Sequence, residues 1–263
     1  MAPVDWLLLL ATGLLAGFIG GLLGIGGCVI MLPALAFGFN YPLPYAIGTT
    51  ITAVILTASS GAVAHIRLRN VDFQTVKVIA LFGAVGAVMG SILFIYLSSQ
   101  LWILNLILGF AFLYVSVRMI YEGIKRPKPG PGMEKVPGSV QKKASIGLLI
   151  GILTGIVGLG GGYALVPSFI YLLGAGVKIA VGTSLPSFIS MAVISGAFKL
   201  YQGYVDVLAA VALGIGTILG AQLGARVVPR VPAWSIKLVF GLVFLYVSLK
   251  FIVHGFGLAI PGF

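Results

Sequence analysis

Apolar residues run for about twenty positions at a time along this chain, the length that crosses a bilayer as a helix. Trp6 to Ile30, Tyr45 to Ala64, Val78 to Leu97 and Leu101 to Val117 form a first set, and polar residues gather between them. The breaks are His65 to Arg69, Ser98-Ser99-Gln100 and a long basic, proline-bearing stretch from Arg118 to Lys143. After that stretch the pattern restarts. Runs of this length and this little charge predict an all-α polytopic membrane protein.

The restart is a repeat. Gly147, Gly151 and Gly155 answer Gly13, Gly17 and Gly21 at a constant offset of 134 positions. Gly158, Gly160, Gly161 and Pro167 answer Gly24, Gly26, Gly27 and Pro33, and Gly182-Thr183-Ser184 answers Gly48-Thr49-Thr50. Near the end the Phe-Leu-Tyr-Val-Ser of 112–116 recurs at 244–248. So many matches, at an offset of 134 and near the end of 132, mean an internal duplication. The chain divides into a first transmembrane repeat (1–123), a basic, Pro-rich cytoplasmic linker (124–143) and a second repeat (144–263).

Each half opens with an apolar run that glycines interrupt and that restarts before a proline: Gly24-Ile25-Gly26-Gly27-Cys28 to Pro33, and Gly158-Leu159-Gly160-Gly161-Gly162 to Pro167. Interrupted segments at matching places in two halves point to a transporter's binding site. Two arrangements stay open. If each broken segment crosses, each half has four crossings and the halves are parallel. If each is a re-entrant hairpin, each half has three and the second is inverted. With the linker placed inside, the inverted arrangement puts 14 of the 16 Lys and Arg on that side and the parallel one 12, so the positive-inside rule favours inverted repeats.

Composition sharpens this. Charged residues are 8% of the chain and hydrophobic residues 60%, with a mean hydropathy of +1.17, too little charge to cover a soluble domain. The net charge of +11 flanks the apolar spans, as cytoplasmic loops do, so nucleic acid is set aside as a partner. Cys28 is the single cysteine, which excludes an intramolecular disulfide, and one Cys with two His builds no metal cluster. The apolar start carries Asp5 without Lys or Arg and runs past any cleavage site, so it is read as part of the mature protein. No catalytic motif is present: there is no GxSxG, Walker lysine, HExxH or CxxC, and no cofactor is implied.

The glycine tips carry the candidate chemistry. A half-helix starting after each tip offers unpaired N–H groups and the positive end of its dipole, an anion site that needs no Arg or Lys. Gly13, Gly17, Gly86, Gly90, Gly216, Gly220 and Gly224 stand at spacings that let helices pack. The contiguous glycines at the tips break a helix, and packing alone does not account for them.

Hydroxyls follow. Thr49, Thr50, Thr52, Thr57, Ser59 and Ser60 fall within about a 180° arc of a helix, and Thr183, Ser184, Ser187, Ser190 and Ser195 within about 140°. Thr49, Thr50, Thr183 and Ser184 open these faces and are candidate anion contacts. His65 and Lys199 occupy equivalent places, where they could attract an anion at the two mouths, though interfacial snorkelling is the plainer role. Asp72 and Asp206 are read as helix caps.

At these residues the chain resembles the sulfite exporter family of the TauE/SafE type, also called toluene-sulfonate uptake permeases. The resemblance spans about Gly13 to Gly255 and rests on the duplicated Gly-rich-to-Pro motifs at 24–33 and 158–167, each followed by Gly-Thr-Thr or Gly-Thr-Ser. It implies transport of sulfite, an organosulfonate such as sulfoacetate, or another small sulfur anion across the bacterial plasma (inner) membrane. Cys28 departs from the third glycine of the second copy, Gly162. The candidate substrate contacts are Gly26, Gly27, Cys28, Thr49, Thr50, Gly160, Gly161, Gly162, Tyr163, Thr183 and Ser184, the anion sitting at the membrane midplane. The partners are then the small anion and the lipid bilayer, with a homodimer left open. An anion channel with a hydroxyl-lined pore is the alternative, and a scaffold whose glycines only pack helices is a third reading.

Overall fold

The computed structural model describes residues 3–23, 27–125, 135–159, 162–227 and 233–258. Within them the chain is helical, with no strand. α1 (Pro3–Leu23) leads to the short α2 (Cys28–Pro33), then α3 (Leu43–Arg67), α4 (Phe73–Leu97) and α5 (Leu101–Lys125). The second half repeats the order: α6 (Val140–Val157), short α7 (Gly162–Pro167), α8 (Val177–Tyr201), α9 (Val207–Val227) and α10 (Ala233–Gly255). Helix is what lipid demands, because every backbone polar group must find its partner within the segment. Among the described residues six helices are long and apolar enough to cross a membrane: α3, α4, α5, α6, α8 and the Lys237–Gly255 part of α10. The chain is an integral membrane protein.

The short helices owe their form to proline. Pro33 and Pro167 lack an N–H and crowd the preceding turn. Each is followed by a π-helical turn, Ala34–Gly38 and Ser168–Leu172, whose wider ring absorbs that crowding. Helix also claims both edges of the expected linker: α5 runs to Lys125 and α6 starts at Val140, where Ser139 Oγ caps Lys142 N–H.

Packing does not follow the two sequence halves. One compact unit holds α1–α3, α4 as far as Leu93, and α6–α9 as far as Ala225; the other is built from α5 and α10. In the first unit, Gly13 and Gly17 of α1 abut Leu213 and Thr217 of α9, while Gly216 and Gly220 of α9 abut Leu10 and Leu14 of α1. The contacts advance together, so the helices run parallel. α6 and α4 make the same pair: Gly147 meets Ile79, Gly151 meets Gly83, and Gly155 meets Ala87 and Ser91. A Cβ at these glycines would enter the partner's backbone, so their smallness sets the close approach. α3 and α8 run antiparallel: Gly48 near the start of α3 meets Tyr204 past the end of α8, and Gly182 near the start of α8 meets Asn70 past the end of α3.

The second unit is a similar antiparallel pair. Ser116 Oγ of α5 donates to Gly241 O of α10, and Ser248 Oγ of α10 donates to Gly109 O of α5. Both serines close the repeated Phe-Leu-Tyr-Val-Ser, and Phe112 packs against Phe244 and Phe251 between them.

Candidate functional site

The first tip turns inside a hairpin. α2 packs on α1 and α3, as α7 packs on α6 and α8. Gly27, at the start of α2, has φ +26°, a backbone that disfavours any side chain. It lies against Ala16, about two turns before the end of α1 at Leu23. The start of α2 therefore lies level with Ala16 and not with the end of α1. Gly27 O accepts from both Ile30 N and Met31 N, the first bonds of the new helix. Gly17, next to Ala16, touches Thr217 midway along α9, and Thr217 Oγ1 accepts from Thr57 Oγ1 of α3 while donating to Gly214 O. The N-terminal end of α2 thus sits at the mid-length of α3 and α9.

The second broken segment is described on either side of its glycines. α6 ends on Gly158, left-handed at φ +66°, which abuts Ile47 near the start of α3. α7 then starts at Gly162. Gly26, Gly160 and Gly161 lie outside the described residues. Cys28 is fully buried in α2, and Tyr163 is buried in α7 at 5% exposure.

The four candidate hydroxyls separate into different roles. Thr49 Oγ1 accepts from Asp206 N, and Thr183 Oγ1 accepts from Asp72 N, each at 3.0 Å. These two threonines tie the start of α3 and of α8 to the turn of the opposite half. Ser184 Oγ donates to Val181 O in its own helix. Thr50 differs: it is fully buried and its Oγ1 makes no hydrogen bond among the described residues.

The two aspartates cap as their positions suggest. Asp72 Oδ1 accepts from Gln74 N and Thr75 N, and Asp206 Oδ1 from Ala209 N. Each has a further contact from outside its helix: Asp72 Oδ2 accepts from Val136 N, and Asp206 Oδ2 from Tyr41 Oη. Burial raises the Asp72 pKa, but the Thr75 hydroxyl, the N–H groups of Val136 and Thr75 and the Lys143 charge together outweigh it and hold the carboxyl below its ordinary value.

Lys199 does not snorkel. It is 0% exposed, and its Nζ turns inward to donate to Gly155 O in the last turn of α6. Its equivalent, His65, is half-buried, with Nδ1 making no hydrogen bond among the described residues. The inward turn of Lys199 has a sequence correlate. Lys199 lies four residues beyond Ser195, whose Oγ donates to Thr154 O, so the polar face of α8 continues through it. No group of three or more His, Cys, Asp or Glu that could hold a metal exists among the described residues.

The family model described as "Sulfite exporter TauE/SafE" matches residues 9–251. Relatives are similar end to end. A probable membrane transporter protein, YunE, of Bacillus subtilis is 26% identical over 96% of this chain and 99% of its own length. Another, of Xylella fastidiosa, is 29% identical over 91% and 92%. A third, MJ0441 of Methanocaldococcus jannaschii, is 25% identical over 84% and 85%. With its paired hairpins and a match across nearly its whole length, the chain belongs to the sulfite exporter TauE/SafE family of membrane transporters.

Proposed function

We propose that the chain carries a small sulfur oxyanion, sulfite or an organosulfonate such as sulfoacetate, across the bacterial plasma membrane. The anion is held at mid-depth by the N-terminal ends of α2 and α7. The observation that carries this is the position of Gly27, level with the middle of α3 and α9, which brings the positive end of the α2 dipole to that depth. Gly26, Gly160, Gly161 and Gly162 complete the two tips in this reading. Thr50 is the hydroxyl best placed to serve the anion, being buried with its Oγ1 uncommitted. Thr49 and Thr183 each retain a hydroxyl proton, but their oxygens are engaged in joining the halves.

The helix directions support inverted repeats. α3 opposes α8, its own equivalent, while α1 runs with α9 and α6 with α4. A twofold axis in the membrane plane produces this pattern; an axis along the normal would set equivalent helices parallel. The halves would then rock about the central site.

The test is anion binding to the purified protein by calorimetry, comparing sulfite, sulfoacetate, taurine, sulfate and acetate on wild type and Thr50→Val. We expect saturable binding of sulfite or sulfoacetate, weakened about tenfold in Thr50→Val, the scale of a lost hydrogen bond to a charged group. No binding of any of the five refutes the reading. Uptake into vesicles that saturates and is accelerated by anion on the far side separates a carrier from a channel.

A further inference from the structure

Val136 lies in the linker, four residues before the start of α6, yet it is buried. Charged side chains hold both of its backbone polar groups. Val136 N donates to Asp72 Oδ2 at 3.1 Å, and Val136 O accepts from Lys143 Nζ at 2.7 Å. Thr75 Oγ1 closes the ring: it donates to Asp72 Oδ2 at 2.6 Å and accepts from Lys143 Nζ at 2.8 Å. Asp72, Thr75 and Lys143 are buried as well. Asp72 and Thr75 belong to the first half, at the start of α4, whereas Val136 and Lys143 lead into the second. The ring also reaches α8, because Asp72 N donates to Thr183 Oγ1. Gly138, at φ +100°, lies against the side chain of Leu173, just past the return arm of the second hairpin. Ser139 then caps α6. Residues 135–139 thus form a strap across the base of the second hairpin, from α6 to Leu173, fastened to the first half at Asp72.

The duplication supplies a control. Asp206 answers Asp72, but Leu9 answers Lys143 and Ala209 answers Thr75. Leu9 and Ala209 are fully buried, and a side-chain hydroxyl, Tyr41 Oη, takes the place of the backbone N–H on Asp206 Oδ2. The fold therefore fills this position with apolar side chains when no linker arrives. Such packing is often as stable as a buried charged network, or more so, so stability alone does not account for the lysine and the threonine. What they add is a hold on a peptide group. A hold made of hydrogen bonds can be exchanged for bonds to water when the strap lifts, so it can open and close.

We propose that residues 135–139 are a lid on the inner end of the transport path. The basic linker lies on the inner side by the positive-inside rule. While the ring of Asp72, Thr75, Val136 and Lys143 is closed, the base of the second hairpin is fastened to the first half and the path is shut from inside. Opening to the inside requires the strap to leave Asp72 and Lys143, whose polar groups then bond to water. This rests on the carrier reading, in which the halves rock and each end must close and open in turn.

Two measurements on the full chain test this, and neither uses an anion. The first is hydrogen exchange at the Val136 amide of the purified protein. Lys143→Leu, which installs the residue of the equivalent place, and Thr75→Val should each speed it about tenfold. The second is labelling of Ser184→Cys, in a Cys28→Ala background, by a thiol reagent that does not cross membranes, applied to inside-out vesicles. Ser184 is fully buried next to Thr183, the residue that holds Asp72, so its labelling reports opening on the strap's side. The same two variants should speed labelling about tenfold. So should Val136→Pro, which removes the N–H that Asp72 holds and leaves every long helix unaltered. Faster exchange with unchanged labelling overturns the lid, since the ring would then only anchor the linker. Unchanged exchange overturns it too, because the ring would not hold the strap. Labelling that quickens in Thr75→Val and Lys143→Leu but not in Val136→Pro also overturns it, the cause then being loosened helix packing. The carrier reading stands or falls separately, on anion binding by the wild type.

Discussion

At the level of single residues, two neighbouring threonines of identical burial do different work. Thr49 and Thr50 are both 0% exposed, but only Thr49 has a partner, the N–H of Asp206 in the other half. Thr183 holds Asp72 N in the same way. Replacing Thr183 by valine keeps the volume and leaves a buried N–H without an acceptor, which costs about 1–3 kcal/mol. Replacing Thr50 by valine removes a hydroxyl that bonds to nothing described, so it should leave stability unchanged or raised. Thermal melting of the two variants in detergent checks this. We expect Thr183→Val to melt several degrees below wild type and Thr50→Val at or above it. Equal melting of the two would show that the threonine at 183 does not join the halves. The sequence places both pairs on one polar face of their helices, and nothing in spacing tells a hydroxyl that ties helices from one that is free. That difference depends on which turn of the opposite half arrives there, a contact more than a hundred residues away in the chain.

Among the elements, the glycines fall into two kinds that the spacing anticipates in part. Those of α1, α4, α6 and α9 sit in parallel helix pairs whose backbones nearly touch, as small residues at four-residue intervals foretell. The partner of each helix was not legible. A repeat suggests that halves pack within themselves, whereas here α1 seeks α9 and α6 seeks α4, and the compact units cut across the duplication. Burial explains it: a hairpin helix has two sides to cover, and its own short return helix covers only one. Gly151 and Gly38 show how a contact decides the effect of the same substitution. A methyl group at Gly151 would enter the backbone of Gly83, whereas at Gly38 it meets nothing within 4 Å. Gly151→Ala should cost about 1–3 kcal/mol through forced separation of α4 and α6. Gly38→Ala should be neutral or slightly stabilising, because it restricts the unfolded chain without a clash. Melting temperatures, with monodispersity on a sizing column, measure both; a tolerated Gly151→Ala would mean that α4 and α6 are not held this closely.

For the molecule as a whole, the outstanding consequence is orientation. The charge count prefers inverted repeats by two residues, a thin margin, and the antiparallel contact of α3 with α8 reaches the same conclusion from independent physics. The two arrangements disagree about which side each end of α8 faces. With the basic linker inside, inverted repeats put Leu172 inside and Tyr201 outside; parallel repeats reverse both. Leu68 is inside in either case. All three side chains are well exposed, at 67%, 93% and 64%, so a cysteine at any of them can be reached. The chain has one native cysteine, Cys28, buried in α2, which can be replaced by alanine to give a clean background. A thiol reagent that does not cross membranes should then label Tyr201→Cys in intact cells and Leu172→Cys only after permeabilisation, with Leu68→Cys as the inner control. The reverse pattern would make the halves parallel. The axis relating them would then lie along the membrane normal, and the two tips would point the same way. A site shared between two oppositely directed half-helices, closed first from one side and then from the other, requires the labelling pattern of inverted repeats.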